Sequence, residues 1–401
     1  MRRMLIDDPR VDGTLLVRDL HAPAGDVLAR AGLRLSARAA RALREHGVSV
    51  CFVEDAASIG VPLAPLVDAT GEDEAVLRAL QDTFALVARL VEAPARQSTS
   101  RAIDDLRGHR IIAKLDATGS MEALRAATGA LAARSVAISP GAGFVTERQA
   151  TDDLYGHSVG VAALAVRIGA ELGLSGSDLA WTALAAVFHD AGMLMVPEEI
   201  RRTPAAQRTP AQQRRYQDHT LLGEAILRPL ERRAPALPVV ALEHHEEQSG
   251  GGYPRGMRGL NRILRPANTD ADRPITLVSE VVALADRYER MVSPAPGNVA
   301  LSPAAARRII ASEGGSRLNA EVVARFLDIL PRWPLGTEVL LRGGAHEGAR
   351  GVVVQLDATG RDRPVVRVFE TADGTRIPPV DVALASDPAV TPVPVDSALA
   401  A

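Results

Sequence analysis

Histidine and carboxylate residues recur together along the middle of the chain, as is typical of metal sites. Five of the nine histidines fall between positions 157 and 245, and carboxylates accompany them. The set comprises Asp153, His157, His189, Asp190, His219, His244, His245 and Asp286. Cys51 is the only cysteine, which excludes a cysteine-ligated zinc site and an internal disulfide. Imidazole and carboxylate ligands without thiolate suit iron, manganese or zinc in an open hydrolytic site.

The spacing of these residues gives each pair a geometry. Asp153 and His157 are four positions apart, so a helix would place them on one face. His189 and Asp190 are adjacent, so on a helix their side chains diverge by about 100°. One side chain could then bind one ion while the carboxylate bridges to the next. Residues 179–188 form an apolar run that ends at this pair, and a buried helix there would hold it rigidly.

An ordered set of motifs occupies about residues 150–330. These motifs are His157-Ser158, His189-Asp190-Ala191-Gly192, His219 followed by Gly223, His244-His245-Glu246, Gly252-Tyr253-Pro254 and Ala285-Asp286. In order and rough spacing they resemble the HD-GYP family, a branch of the HD phosphohydrolases. The resemblance implies a helical fold, two or three divalent metal ions (iron, with manganese as the alternative) and hydrolysis of cyclic di-GMP to linear pGpG or GMP in bacterial second-messenger signalling.

The resemblance also implies roles for individual residues. His189 and Asp190 would be the catalytic pair. The metal ligands would be Asp153, His157, His189, Asp190, His219, His244, His245 and Asp286. The substrate-binding loop would be Gly252, Tyr253 and Pro254.

The charge balance agrees with metal-assisted chemistry on an anion. Lys+Arg total 46 and Asp+Glu total 49, a net charge of −3, so the chain has no general excess of cations and we predict no DNA partner. Two metal ions would supply local positive charge for a phosphodiester, lower the pKa of a water between them and clamp the phosphoryl oxygens.

Three positions depart from the family pattern. Met193 stands where the family usually has lysine, Ser249 where it has aspartate, and Ala295 where it has a phosphate-binding arginine. These losses leave an alternative open, a non-catalytic module that binds metal or nucleotide and signals through protein contacts, for example with a diguanylate cyclase (GGDEF) domain. The arginine pair Arg201 and Arg202 is interpreted as a solvated surface.

The elements that must position these residues suggest a mainly α chain with an HD-type helical bundle. The predicted domains are an N-terminal α/β regulatory module (1–65), a helical linker or stalk (66–149), the helical metal-dependent domain (150–330), a small β subdomain (331–388) and a frayed tail (389–401). A stalk would favour a homodimer, whereas its helices could instead pack onto the next domain. No apolar run approaches the ~20 residues of a membrane span, and a cytoplasmic protein is predicted.

Overall fold

The computed structural model describes most of the chain, with gaps that include two positions named above. The described residues are 2–21, 27–46, 48, 50–55, 57–60, 65–67, 72–108, 111–137, 145–146, 154–174, 176–263, 274–293, 301–356 and 363–395. Asp153 and Ala295 lie outside them. Within these ranges no helix has both the length and the apolar character needed to cross a membrane.

Helices account for most of the described structure. They are α1 (Ala37–Glu45), α2 (Glu72–Ala95), α3 (Thr99–Gly108), α4 (Ile111–Ala117), α5 (Ser120–Ala137), α6 (Leu154–Glu171), α7 (Ser177–Phe188), α8 (Glu198–Arg202), α9 (Pro210–Gln217), α10 (His219–Leu227), α11 (Ala236–Glu243), α12 (Leu277–Val292), α13 (Pro303–Glu313) and α14 (Ala320–Ile329). The strands are β1 (Arg2–Leu5), β2 (Leu15–Leu16), β3 (Leu20–His21), β4 (Val27–Ala29), β5 (Val50–Glu54), β6 (Pro65–Val67), β7 (Val145–Thr146), β8 (Glu338–Arg342), β9 (Arg350–Gln355), β10 (Val365–Glu370), β11 (Arg376–Ala383) and β12 (Thr391–Pro394).

The N-terminal region is a small α/β unit with its own core. Strand β5 lies between β1 and β2, and all pairing in this sheet is antiparallel. Ser36 caps the N-terminus of helix α1, and its Oγ accepts a hydrogen bond from the N–H of Ala39 at 3.1 Å. Apolar residues of the sheet and helix, among them Leu16 and Leu43, pack together away from water.

The central region packs its helices around α6, which is buried along nearly its whole length. Helices α7 and α12 pack against α6, and α2 and α5 cover the same core. The ring of Phe84 on α2 lies 5.5 Å from that of Phe188 on α7 and 5.8 Å from that of Tyr155 on α6. Of the two alternatives for these helices, a separate stalk or packing onto the next domain, the structure agrees with the second, because their apolar faces are buried against the central helices.

The C-terminal region is an antiparallel sheet of five strands in the order β11-β10-β9-β8-β12. Strand β12 pairs with β8, with Thr391 opposite Arg342. The predicted frayed tail is thus wrong over residues 391–394, since these residues form an edge strand. Arg10 of the N-terminal region donates to Glu338 of this sheet at 2.6 Å, so the two ends of the described chain meet.

Candidate metal centre

Five helices of the central region bring the predicted ligands together at their ends or buried faces. His157 lies on α6, His189 and Asp190 follow α7, His219 begins α10, His244 and His245 follow α11, and Asp286 lies on α12. Seven of the eight predicted ligands are therefore in one place, and the eighth, Asp153, is outside the described residues.

A close backbone approach sets the distance between two of these helix ends. A Cβ atom on Gly192 would lie 2.0 Å from the carbonyl oxygen of His219. Only glycine allows the turn after Asp190 to contact the start of α10 so closely. The glycine of the His-Asp-Ala-Gly motif therefore brings His219 within reach of Asp190.

The carboxylate of Asp190 lies at the middle of the cluster, with each oxygen facing different histidines. Its Oδ1 is 3.3 Å from Nε2 of His219 and 3.5 Å from Nε2 of His244. Its Oδ2 is 3.4 Å from Nε2 of His189 and 3.8 Å from Nε2 of His157. Asp190 belongs to both groups of residues that could hold an ion, one with His219, His244 and His245 and one with His157 and His189. Asp190 is therefore the residue that the two groups share.

The backbone orients three of the imidazole rings. A carbonyl oxygen only accepts hydrogen bonds, so a ring nitrogen next to one carries a proton, and the other nitrogen is the one that can bind a metal ion when the ring is neutral. The Nδ1–H groups point to carbonyl oxygens, from His189 to Ala186 (2.6 Å), from His219 to Tyr216 (2.7 Å) and from His244 to Val240 (3.0 Å). In each ring Nε2 is thus the nitrogen that faces the centre as a ligand.

His157 lies between two carboxylates of α12. Its Nδ1 donates to Oε2 of Glu289 at 2.5 Å, and its Nε2 lies 2.9 Å from Oδ1 of Asp286. Glu289 is fully buried and also accepts from the hydroxyl of Ser293 at 2.6 Å. Glu289 is not among the predicted site residues, although its position three residues after Asp286 places both side chains on one helix face.

Several buried polar atoms of the cluster lack a hydrogen-bond partner within the described structure. These atoms are Nε2 of His157, Nε2 of His189, Oδ1 of Asp190 and Nε2 of His245. Buried polar atoms are nearly always satisfied, so unsatisfied ones converging on a point indicate a missing ligand. Nitrogen and carboxylate donors of this kind fit a divalent transition metal, and the residues present therefore fit the metal centre that the sequence predicted.

Arg290 is a further member of the cluster that the sequence analysis missed. Its Nη2 donates to Oδ2 of Asp190, and its Nε donates to Oδ1 of Asp286, both at 2.7 Å. Burial alone would raise the pKa of Asp190, but His189 and Arg290 outweigh it and hold that pKa well below its usual value. Burial opposes a charge on His189 too, yet the two carboxylates raise its pKa to about 10.

The histidines after α11 have the opposite electrostatics. Burial lowers the pKa of His244 to about 4, although Asp190 partly opposes this effect. Burial and the neighbouring histidines lower the pKa of His245 well below its usual value. Both rings are therefore neutral near pH 7, which is the protonation state that binds a metal ion.

The Gly-Tyr-Pro loop lies against this second pair of histidines. The ring of Tyr253 stacks on that of His245, with centroids 4.7 Å apart and planes inclined by 27°. The buried carboxylate of Glu246 accepts from the N–H groups of Arg255 and Met257, both at 2.7 Å, and so fixes the loop beyond Tyr253. A Cβ on Gly252 would lie 2.4 Å from the carbonyl oxygen of His245, which explains the glycine there.

A cavity of about 700 Å³ opens above the cluster. Tyr253 lines it together with His157, Asp190, His244, His245 and Asp286, whereas Gly252 and Pro254 shape the loop without lining it. The arginines that line it are Arg201, Arg202, Arg208, Arg287, Arg290 and Arg317. Arg201 and Arg202 are exposed, as the sequence analysis expected, but the surface they form is a wall of this cavity.

Met193 lies on the same cavity wall as an apolar residue. Its side chain is buried and packs with Val196 and Ile200. The methionine that stands in place of the family's lysine is thus part of a small hydrophobic cluster. Arg208 lies nearby, with its guanidinium carbon 3.6 Å from the centre of the Tyr216 ring.

Comparison with known proteins gives the following matches. Residues 135–322 match the family model of the HD domain. A cyclic di-GMP phosphodiesterase of Thermotoga maritima is 31% identical over 180 residues, which are 44% of this chain and 45% of that protein. Another cyclic di-GMP phosphodiesterase, from Pseudomonas aeruginosa, is 28% identical over 218 residues, 54% of this chain and 48% of that protein. The chain thus spans just under half the length of each relative.

One solved structure with a similar outline comes from Bdellovibrio bacteriovorus and is described as an HDGYP protein. It shares 14% identity and a TM-score of 0.44, over 82% of this chain and 98% of that one. This likeness is too distant to add to the description of the site.

Proposed function

Because this chain belongs to the HD-GYP family of HD-domain proteins, we propose that it is a metal-dependent phosphodiesterase that hydrolyses a cyclic dinucleotide. We further propose cyclic di-GMP as the substrate, with linear pGpG or GMP as the product. The matched relatives carry this activity in their names, and the same activity for this chain is our proposal.

One observation carries the proposal, namely that Asp190 lies between two groups of histidines at the base of a cavity. Each of its oxygens faces a different pair of imidazole nitrogens, at distances between 3.3 and 3.8 Å. Two divalent ions held by such groups would lower the pKa of a water and neutralise charge on phosphoryl oxygens. The proposed ligands are His157, His189, Asp190, His219, His244, His245 and Asp286, and Asp153 remains a predicted ligand.

The protein's own groups orient this centre. Backbone carbonyls fix the rings of His189, His219 and His244, and Glu289 fixes that of His157. Rings fixed in this way need no rearrangement when the reaction begins, which favours electrostatic stabilisation of the transition state.

The cavity walls suit a ligand that has both phosphates and bases. Arg201, Arg202 and Arg208 line the cavity and could contact phosphate oxygens through charged hydrogen bonds. Tyr253 offers an aromatic face at the cavity, on which a guanine could stack, since bases stack well on aromatic side chains. These arginines would replace the cation that Met193 no longer supplies.

Anaerobic purification with iron or manganese tests the proposal. We expect the purified protein to contain bound metal and to hydrolyse cyclic di-GMP, with the products detected by chromatography. We expect His189→Ala to abolish turnover. His346→Ala is the matched control, since His346 lies in the C-terminal sheet region, away from the cavity. Turnover that persists in His189→Ala would contradict the proposed site.

A second candidate function follows from the buried, apolar Met193. A module that has lost this cation could bind metal and nucleotide without turnover and act through protein contacts. We expect Met193→Lys to increase the rate about tenfold if the missing cation limits catalysis, because one transition-state contact contributes 10²–10³-fold in other sites. Bound metal and bound cyclic di-GMP with no product, in the wild type and in Met193→Lys, would favour the second candidate.

We also propose a diguanylate cyclase domain and a second copy of this chain as partners. Pull-down and sedimentation measurements would test these two proposals.

A further inference from the structure

Arg290 makes the two sides of the candidate centre unequal. It donates to Oδ2 of Asp190 and to Oδ1 of Asp286, both at 2.7 Å. These two oxygens also face the first pair of histidines, since Oδ1 of Asp286 lies 2.9 Å from Nε2 of His157 and Oδ2 of Asp190 lies 3.4 Å from Nε2 of His189. We call His157, His189, Asp190 and Asp286 the arginine-facing subsite.

Among the described residues, no guanidinium pairs with the other oxygen of Asp190. Its Oδ1 is buried without a hydrogen bond and faces Nε2 of His219 at 3.3 Å and of His244 at 3.5 Å. His245 completes this group, and its buried Nε2 also lacks a partner. We call these four residues the histidine subsite. The described residues of the histidine subsite include no guanidinium, whereas Arg290 already lies against the arginine-facing subsite.

We propose that Arg290 is a built-in cation of the centre, so that a divalent ion fills the histidine subsite first and binds the arginine-facing subsite at least tenfold more weakly. This inference rests on the proposed metal centre and adds an order of filling to it. A guanidinium stays charged at every working pH, so its repulsion of a second cation is permanent.

Geometry makes that repulsion effective. Asp286 and Arg290 are one helical turn apart on α12, so the helix holds the guanidinium next to the carboxylate. The carboxylates of Asp190 and Asp286 are buried, and salt screens charges in such a place poorly. An ion bound to these oxygens would lie within a few ångströms of the guanidinium.

A titration of the metal-free full chain with Mn²⁺ alone tests the inference. Equilibrium dialysis gives the number and affinity of sites, and electron paramagnetic resonance distinguishes single ions from coupled pairs. We expect one tight Mn²⁺ per chain, a second at least tenfold weaker, and a signal of isolated ions at one equivalent. Two sites of equal affinity in the wild type would overturn the inference even if no variant folds.

The variant Arg290→Met removes the charge and keeps much of the side-chain volume. We expect its second site to become at least tenfold tighter, with a coupled Mn²⁺ pair at two equivalents. Arg290→Lys, which keeps a charge, should retain the weak second site. Arg287→Met is the matched control, because Arg287 is on the same helix and lines the same cavity but pairs with Glu313. Its metal binding should equal that of the wild type.

The outcomes separate the two proposals. An unchanged second affinity in a folded Arg290→Met contradicts the role of Arg290 and leaves the metal centre standing. A chain that binds no Mn²⁺ in any variant contradicts the proposed centre, and the order of filling with it.

Discussion

The central helices and the C-terminal sheet both enclose charged side chains, but they satisfy them differently. In the sheet region, Arg363 donates to the carbonyl oxygens of Leu384, Asp387 and Val390 at 2.6–2.9 Å. In the metal centre, ring nitrogens of His157, His189 and His245 are buried without such partners. Among the described residues, none of the partnerless buried atoms belongs to the sheet.

This difference separates a structural role from a binding role. A charged group whose hydrogen bonds are all made within the chain holds loops together, as Arg363 does. A buried group left without a partner costs stability unless a ligand binds to it. Among the described residues, the buried atoms that could take up an ion therefore lie in the central helices.

The same substitution in the two regions gives the largest expected contrast. Asp190→Asn removes the carboxylate shared by both metal groups, so we expect loss of bound metal and a fall in turnover of about 10³-fold, equivalent to several kcal/mol of transition-state stabilisation. Asp381→Asn breaks the pair with Arg367 on the sheet surface and should change the free energy of unfolding by less than about 1 kcal/mol. Metal analysis and turnover assays measure the first effect, and denaturant titration measures the second. Full activity in Asp190→Asn would contradict the site.

A matched pair of glycine substitutions tests whether backbone contact sets the geometry of the centre. Gly192→Ala should lower the free energy of unfolding by about 3 kcal/mol, because its Cβ would overlap the carbonyl of His219. It should also weaken Mn²⁺ binding at least tenfold. Gly129→Ala, on α5 with no atom within 4 Å of the new Cβ, should instead stabilise the chain by about 0.5–1 kcal/mol. Denaturant titration and dialysis measure these effects, and equal effects in the two variants would contradict the contact.

Metal addition should have a smaller effect than either substitution in the metal centre. An ion that binds only the folded chain stabilises it by about 2.7 kcal/mol at a concentration 100-fold above its Kd. We therefore expect Mn²⁺ to raise the melting temperature of the wild type but not the melting temperature of Asp190→Asn. Circular dichroism measures both temperatures. A chelator should reverse the rise. An equal rise in both proteins would point to binding outside the centre.

Much of the site could be predicted because its ligands occur in short motifs at helix ends. The His189-Asp190 pair follows an apolar helix, and glycines at 192 and 252 make backbone contacts that the structure explains. Glu289 and Arg290 were not predicted, although both lie about one helical turn after Asp286. Helical spacing gives the direction of a charged side chain but not the residue of another helix that it contacts.

Some of the fold escaped prediction for similar reasons. The proline residues of the C-terminal segment suggested a frayed tail, yet proline is tolerated in an edge strand such as β12. The pattern of α2 predicted a helix with an apolar face, but it could not tell whether a second copy or the central helices would cover that face.

The sequence by itself determined which side chains could bind metal and which of them share a helix face, because the helical repeat fixes direction within one element. Only the tertiary structure decided that Oδ1 and Oδ2 of Asp190 face different histidines and that Arg290 meets both carboxylates. Distances between elements depend on how helices far apart in the chain pack, and no local pattern contains them.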